Sequence, residues 1–109
     1  MSFNVIASVP FERKVKRLSK KYRSLKKDLS TLIDSLSINP IQGTPLGKDC
    51  YKIRMSVASK GKGKSGGARV ITYVRFTKNT VFLMDVYDKS EQSTISDKEL
   101  WALIQLFTL

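Results

Sequence analysis

The side chains best equipped for chemistry in this sequence are cations and one phenol in segments with a period of two. Lys52 and Arg54 stand two apart in Tyr51-Lys-Ile-Arg-Met55, and Arg69 opens the run Arg-Val-Ile-Thr-Tyr-Val74. Tyr87 and Lys89 close a third run, Val81-Phe-Leu-Met-Asp-Val-Tyr-Asp-Lys89. Residues two apart share one face of a strand, so Lys52 and Arg54 project together. If the three runs pair antiparallel, the end of the first, the start of the second and the end of the third fall toward one edge of the sheet. Four cations and a phenol gathered there make a phosphate site that stabilises the charge of a pentacovalent phosphorus. Such a site cuts RNA without histidine: the 2′-OH attacks the adjacent phosphate, while Lys and Tyr handle the protons. The same cations on a merely solvated strand face have no such role.

The rest of the composition narrows the chemistry by exclusion. The chain has no histidine, which removes Ser-His-Asp and Cys-His mechanisms and paired-histidine nucleases. A lone Cys50 allows no intrachain disulfide, and there is no Cys/His set for zinc, so no metal and no cofactor are expected. Lys60-Gly-Lys-Gly-Lys-Ser-Gly-Gly67 resembles a phosphate loop only superficially. A P-loop needs a glycine where Ala58 stands, and it leads into a helix, whereas this segment leads into a strand. Its lysines, Lys60, Lys62 and Lys64, suit either a solvated hairpin loop or a flexible arm for a polyanion backbone.

Charge points to the class of partner. The 109 residues carry 20 Lys and Arg against 9 Asp and Glu, a net charge of +11. Residues 1 to 84 hold 18 of the basic side chains and only 4 acidic ones, leaving a mildly acidic tail. A nucleic acid, an acidic protein or an anionic surface fits this balance. No apolar run approaches the ~20 residues of a membrane span. The N-terminal Met-Ser-Phe-Asn-Val-Ile-Ala-Ser puts its apolar stretch ahead of its charges, unlike a secretory signal. A single cytoplasmic domain over residues 1–109, with no membrane partner, is the expectation.

The elements that must position these residues follow from periodicity. Phe3 to Ala7 reads as a strand, and Pro10 suits the first turn of a helix whose apolar face is Phe11, Val15, Leu18 and Tyr22. Arg13, Lys14, Arg17, Lys20 and Lys21 lie on its outer face, as on any surface helix or on a face for RNA or ribosome. A second helix carries Leu25, Leu29, Leu32, Ile33 and Leu36 and ends before Asn39-Pro40; with the first it forms a hairpin. Gly43 to Gly47 reads as a turn. Three strands follow, and Ser96 with Glu99 forms a capping box that opens a last helix. The expected fold is α+β: an N-terminal strand and helical hairpin packed on a twisted, mainly antiparallel sheet of about four strands, with a C-terminal helix.

Taken together, Asp49-Cys-Tyr-Lys-Ile-Arg54, Gly67-Ala-Arg-Val-Ile-Thr-Tyr-Val74, Val81 to Lys89, Phe11-Glu-Arg-Lys-Val-Lys-Arg-Leu18, Asn39-Pro40 and Gly43-Thr-Pro-Leu-Gly47 resemble the RelE/ParE superfamily of bacterial toxins, in its HigB/RelE-like branch. The resemblance covers nearly the whole chain. It implies a RelE-like fold and a type II toxin that enters the ribosome and cuts mRNA, silenced by a cognate acidic antitoxin of helix-turn-helix type. It places the catalytic cations on Lys52, Arg54, Arg69 and Lys89. Arg54 stands where the family has lysine, and guanidinium is a poor proton acceptor. The family's tyrosine beyond the last strand falls near Ile95, which leaves Tyr87 as the candidate phenol. The alternatives are a ParE-like inhibitor of gyrase without nuclease activity and a basic nucleic-acid-binding protein.

Overall fold

From residue 50 onward the sequence alternates, and those segments build the three central strands of the sheet. A computed structural model describes residues 2–61 and 63–108. Five strands, β1 (Asn4–Ala7), β2 (Thr44–Gly47), β3 (Cys50–Met55), β4 (Ala68–Arg75) and β5 (Thr80–Asp88), form one sheet in the order β1-β5-β4-β3-β2. β1 runs parallel to β5, and the other three pairs are antiparallel. Helices α1 (Val9–Lys21) and α2 (Leu25–Ile38) precede the main strands, α3 (Gly63–Gly66) is a single turn, and α4 (Asp97–Thr108) follows β5. No helix among the described residues is long and apolar enough to cross a membrane.

Local chemistry explains the helix ends. The Ser8 hydroxyl accepts a hydrogen bond from the Phe11 N–H at 3.2 Å, and Pro10 occupies the first turn of α1, where no intrahelical donor is needed. Ser96 and Glu99 do form the capping box of α4: the Glu99 N–H donates to Ser96 Oγ at 3.1 Å, and the Ser96 N–H donates to Glu99 Oε1 at 3.4 Å. Alternation then sorts each strand between two layers. Ile53, Met55, Val70, Val74, Val81 and Val86 pack with Phe11, Leu18, Leu25 and Leu36 of the helical hairpin. Cys50, Ile71 and Met84 pack with Leu100 and Ile104 of α4 on the other face. A bulge serves this arrangement: Ile71 lies opposite Asp85 and Thr72 opposite Leu83, so Met84 is an extra residue in β5.

The sheet has one strand more than the sequence suggests. Gly43 to Gly47 reads as a turn, yet Thr44–Gly47 pairs with β3 through Thr44↔Lys52, Pro45↔Tyr51 and Gly47↔Cys50. Four residues containing a proline and bounded by glycine show no period, and β2 lies at the sheet's edge, where a missing proline N–H is tolerated. The β2–β3 turn puts Lys48 and Asp49 at positive φ, 56° and 63°. That pair of left-handed residues matches the twist of a tight hairpin. The β4–β5 connection is a 3-10 turn, Phe76–Lys78, closed by Asn79 at φ 48°.

Leu18 is fully buried between the hairpin and the sheet. Leu18→Ala is expected to cost about 2–5 kcal/mol, combining lost transfer energy with the cavity left behind. Urea titration followed by circular dichroism should show a lower midpoint with an unchanged slope.

Candidate active site

Register brings the sequence candidates together. Arg54 lies directly opposite Arg69, and Arg69 directly opposite Tyr87, so the three form one row across β3, β4 and β5. Directly paired residues share a face, with Cβ atoms about 4.5–5.5 Å apart. Lys52, two residues before Arg54, projects from that face as well. Lys89 follows the last residue of β5 and is held beside the row, its N–H donating to the Gly67 carbonyl at 3.1 Å. Arg54 is exposed and Lys52 and Lys89 are half-buried, whereas Arg69 and Tyr87 are only 4% and 3% exposed.

This row breaks a rule of sheet construction. Like charges directly across a strand pair destabilise it, yet two guanidinium-bearing residues face each other in the Arg54↔Arg69 pair. Local rules are broken most often where function requires it. Arg69 Nη1 donates to the Ala68 carbonyl at 3.2 Å, which sets part of its orientation. Burial raises the Tyr87 phenol above its ordinary value, against the opposing pull of the Arg69 charge, so the phenol is neutral at pH 7. Ile95, where the family tyrosine would fall, belongs to the apolar cluster with Leu100 and Ile104. Cys50 is buried in the same cluster, and its thiol is pushed up to about 11, chiefly by burial, so it is no nucleophile.

The segment after β3 corrects a sequence expectation. Lys60 is no arm for a polyanion: its side chain is 5% exposed, and Nζ lies 2.6 Å from Asp88 Oδ1 and 3.3 Å from the Gly67 carbonyl. The residues just before Lys60 are exposed but tied down. Ser59 N–H donates to Ser24 Oγ at 2.8 Å and Ala58 N–H to Asp28 Oδ2 at 3.1 Å, which dock the turn on the start of α2. Lys62 and the side chain of Lys64 lie outside the described residues. Of the helix-one cations, Lys14 is paired with Asp85, Arg17 lies 3.5 Å from Glu91, and Lys21 lies 3.6 Å from both Asp88 and Glu91. Part of the basic body is thus neutralised by the acidic tail of the same chain, while Arg13 and Lys20 remain exposed on α1.

Asp88 is the residue that sequence reasoning missed. Its carboxylate accepts hydrogen bonds from Lys60 Nζ at 2.6 Å, Tyr22 Oη at 2.5 Å, and the Ser90 N–H and hydroxyl at 2.9 and 2.8 Å. Burial alone would raise its pKa; the bonds from Lys60, Tyr22 and Ser90 outweigh that and hold the carboxyl well below the usual range. The cluster ties α1, the 58–67 segment and the end of β5 into one unit, directly beside Arg69 and Lys89. The available signal was an acid closing an apolar strand in a chain with few acids, which named no partner.

A family model for the RelE toxin of the RelE/RelB toxin–antitoxin system matches residues 9–108. The chain belongs to this family. Among solved structures, the toxin resembles a mutant of E. coli toxin RelE in the free state, with a TM-score of 0.65 at 18% identity over 100% of each chain. It also resembles a chain of the RelBE2 toxin–antitoxin complex from Mycobacterium tuberculosis, with a TM-score of 0.61 at 18% identity, covering 81% of this chain and 92% of that one. At such identity the likeness is one of fold, and the α+β architecture expected for a RelE-like toxin is the one observed.

Asp88→Asn leaves the Lys60 ammonium buried without its counter-charge and is expected to destabilise the toxin by about 3–5 kcal/mol. Because the Asp88 pKa is depressed in the folded state, its contribution is complete above the unfolded pKa of about 4 and is lost as pH falls below that value. Denaturant titrations from pH 7 down to 3 should show the wild type beginning to lose this increment below about pH 4, with the larger part still present at pH 3, and the Asn variant lacking it throughout.

Proposed function

We propose that this toxin is a ribosome-dependent endoribonuclease that cuts mRNA in the cytoplasm and is held inactive by a cognate acidic antitoxin. The observation that carries the reading is the Arg54–Arg69–Tyr87 row with Lys52 and Lys89 at its margins. In the proposed reaction the 2′-oxygen of a ribose forms a bond to the adjacent phosphorus, and the bond to the 5′-oxygen breaks. The products are a 2′,3′-cyclic phosphate and a free 5′-hydroxyl. Negative charge accumulates on the non-bridging oxygens, where a guanidinium fork offers two parallel donors. Arg54 meets the phosphate from the exposed side, and Arg69 supports it from beneath.

Proton transfer falls to other groups. A guanidinium does not release its proton readily, so Lys52, rather than Arg54, is assigned to accept the proton of the 2′-OH. Lys89, at the accessible margin, is assigned to protonate the leaving 5′-oxygen. Tyr87 is a neutral phenol buried in the cluster that includes Ile95 and Leu100, and its proposed role is to hold Arg69 in place. The +11 charge favours approach to ribosomal RNA and to an acidic antitoxin alike.

Primer extension on ribosome-bound mRNA tests the assignment, with circular dichroism to confirm folding. Arg54→Ala is exposed and is expected to fold normally while lowering the cutting rate by ~10²–10³. Arg69→Ala should lower it at least as far, and Lys52→Ala should also shift the pH profile of cutting. Full activity in the Arg54 variant would sink the proposed site. Absence of cutting by the wild type on any translated message would sink the enzyme.

A further inference from the structure

The sheet face that carries the Arg54–Arg69–Tyr87 row continues past Lys52 to a feature that the proposed chemistry leaves unused. Cys50 lies further along that face, and Leu46 of β2 packs with it in the cluster under α4. Where β2 turns into β3, Leu46, Lys48, Asp97, Leu100, Trp101 and Ile104 line a hollow of about 190 Å3. The last four follow the i, i+3, i+4, i+7 spacing and so share one face of α4. Leu100 and Ile104 are buried and form its apolar floor. Trp101 is 47% exposed, yet its indole is held, because Lys48 Nζ stands 3.6 Å from the ring centroid. Side chains on a helix lean toward its N-terminus, which inclines the indole toward Asp97 one turn earlier. Asp97 is exposed, and among the described residues no ion pair occupies its carboxylate.

A restrained indole with an open side is a platform for a flat ring, and a carboxylate beside it selects the edge of that ring. Every base can stack on an aromatic side chain. Only guanine turns two adjacent donors, N1–H and the N2 amino group, toward a single carboxylate along its Watson–Crick edge. Phosphate is disfavoured next to Asp97, so the hollow suits a base, and the backbone is left to the cation row. At a strand rise of about 3.3 Å per residue, Arg54 to Cys50 spans ~13 Å, and the hollow lies at the far end of that span. A base seated there is therefore outside the two nucleotides joined by a phosphate at Arg54. We infer that the hollow formed by Lys48, Trp101 and Asp97 is a second RNA subsite, which stacks and reads an unpaired guanine a few nucleotides from the cut. The substrate rests on the endoribonuclease reading; the subsite adds a choice among messages that the cation row cannot make, because phosphate contacts carry no sequence information.

Trp101 is the only tryptophan in the chain, so its fluorescence reports on this hollow alone. The test titrates the full-length toxin with two single-stranded hexanucleotides, an all-uridine chain and the same chain with one central guanosine. Every ribose is 2′-O-methylated, which removes the attacking hydroxyl. The guanosine hexamer is expected to quench the indole emission and to bind about tenfold tighter than the uridine hexamer. Anisotropy of fluorescein-labelled hexamers then follows the variants. Trp101→Ala and Asp97→Ala should each abolish the difference between the two hexamers, whereas Arg54→Ala should weaken both by the same factor. Both α4 variants leave the buried Leu100 and Ile104 in place, and circular dichroism confirms that they fold. Equal affinity of the wild type for the two hexamers, or a guanosine preference that survives in both α4 variants, would overturn the inference. Neither hexamer can be cut and no ribosome is present, so a wild type that cuts no message can still show the preference. Loss of the enzyme reading and loss of the subsite are therefore separate outcomes.

Discussion

Asp88 sits where three segments distant in sequence meet. Its carboxylate closes β5, receives the ammonium of Lys60 from the segment after β3, and receives the phenol of Tyr22 from the end of α1. A buried carboxylate of this kind is tolerated only because its lone pairs are engaged. The consequence is positional. Gly67, whose carbonyl accepts from both Lys60 Nζ and the Lys89 N–H, lies two residues from Arg69. The start of β4 and the end of β5 are thereby fixed relative to each other, and with them Arg69 and Tyr87.

The row itself concentrates positive charge at one end of a sheet that elsewhere sorts apolar residues cleanly. Arg54 opposite Arg69 is unfavourable in isolation, and three acids that follow the row in sequence or flank it are paired with other cations. Asp85 pairs with Lys14, Asp88 with Lys60 and Lys21, and Glu91 with Arg17 and Lys21. The acidic tail thus neutralises part of α1 and Lys60 while Arg54 stays exposed. An anion arriving at the row meets the exposed guanidinium of Arg54 on its accessible side.

How much of this was visible in the sequence depended on the range of the interaction. The Phe11–Leu18 stripe, the Ser96–Glu99 box and the alternation of β3 are written within one or two turns of chain, and the elements follow them. β2 was missed because four residues with a proline carry no period. The gathering of Lys52, Arg54, Arg69 and Tyr87 was expected from strand order, but their direct opposition is a matter of register, which a single sequence does not specify when both strands alternate well. Lys60 was misjudged because glycine-rich, lysine-rich composition describes an exposed loop, whereas its partner Asp88 lies 28 residues away. Buried ion pairs of that span leave no local pattern.

The parallel pairing of β1 with β5 has a further consequence, in the order of assembly. Asn4 to Ala7 pair with Thr80 to Leu83, so the first strand made waits for the last before it has a place in the sheet. Until then the helical hairpin forms from local contacts alone, while long-range closure is deferred. At about 5–20 residues per second, the wait is roughly 4–15 seconds of synthesis. Tyr87 and Asp88 emerge later still, and the cation row has neither its third member nor its anchor before they do. The Arg54–Arg69–Tyr87 row is thus among the last features of the sheet to be completed as the chain is made.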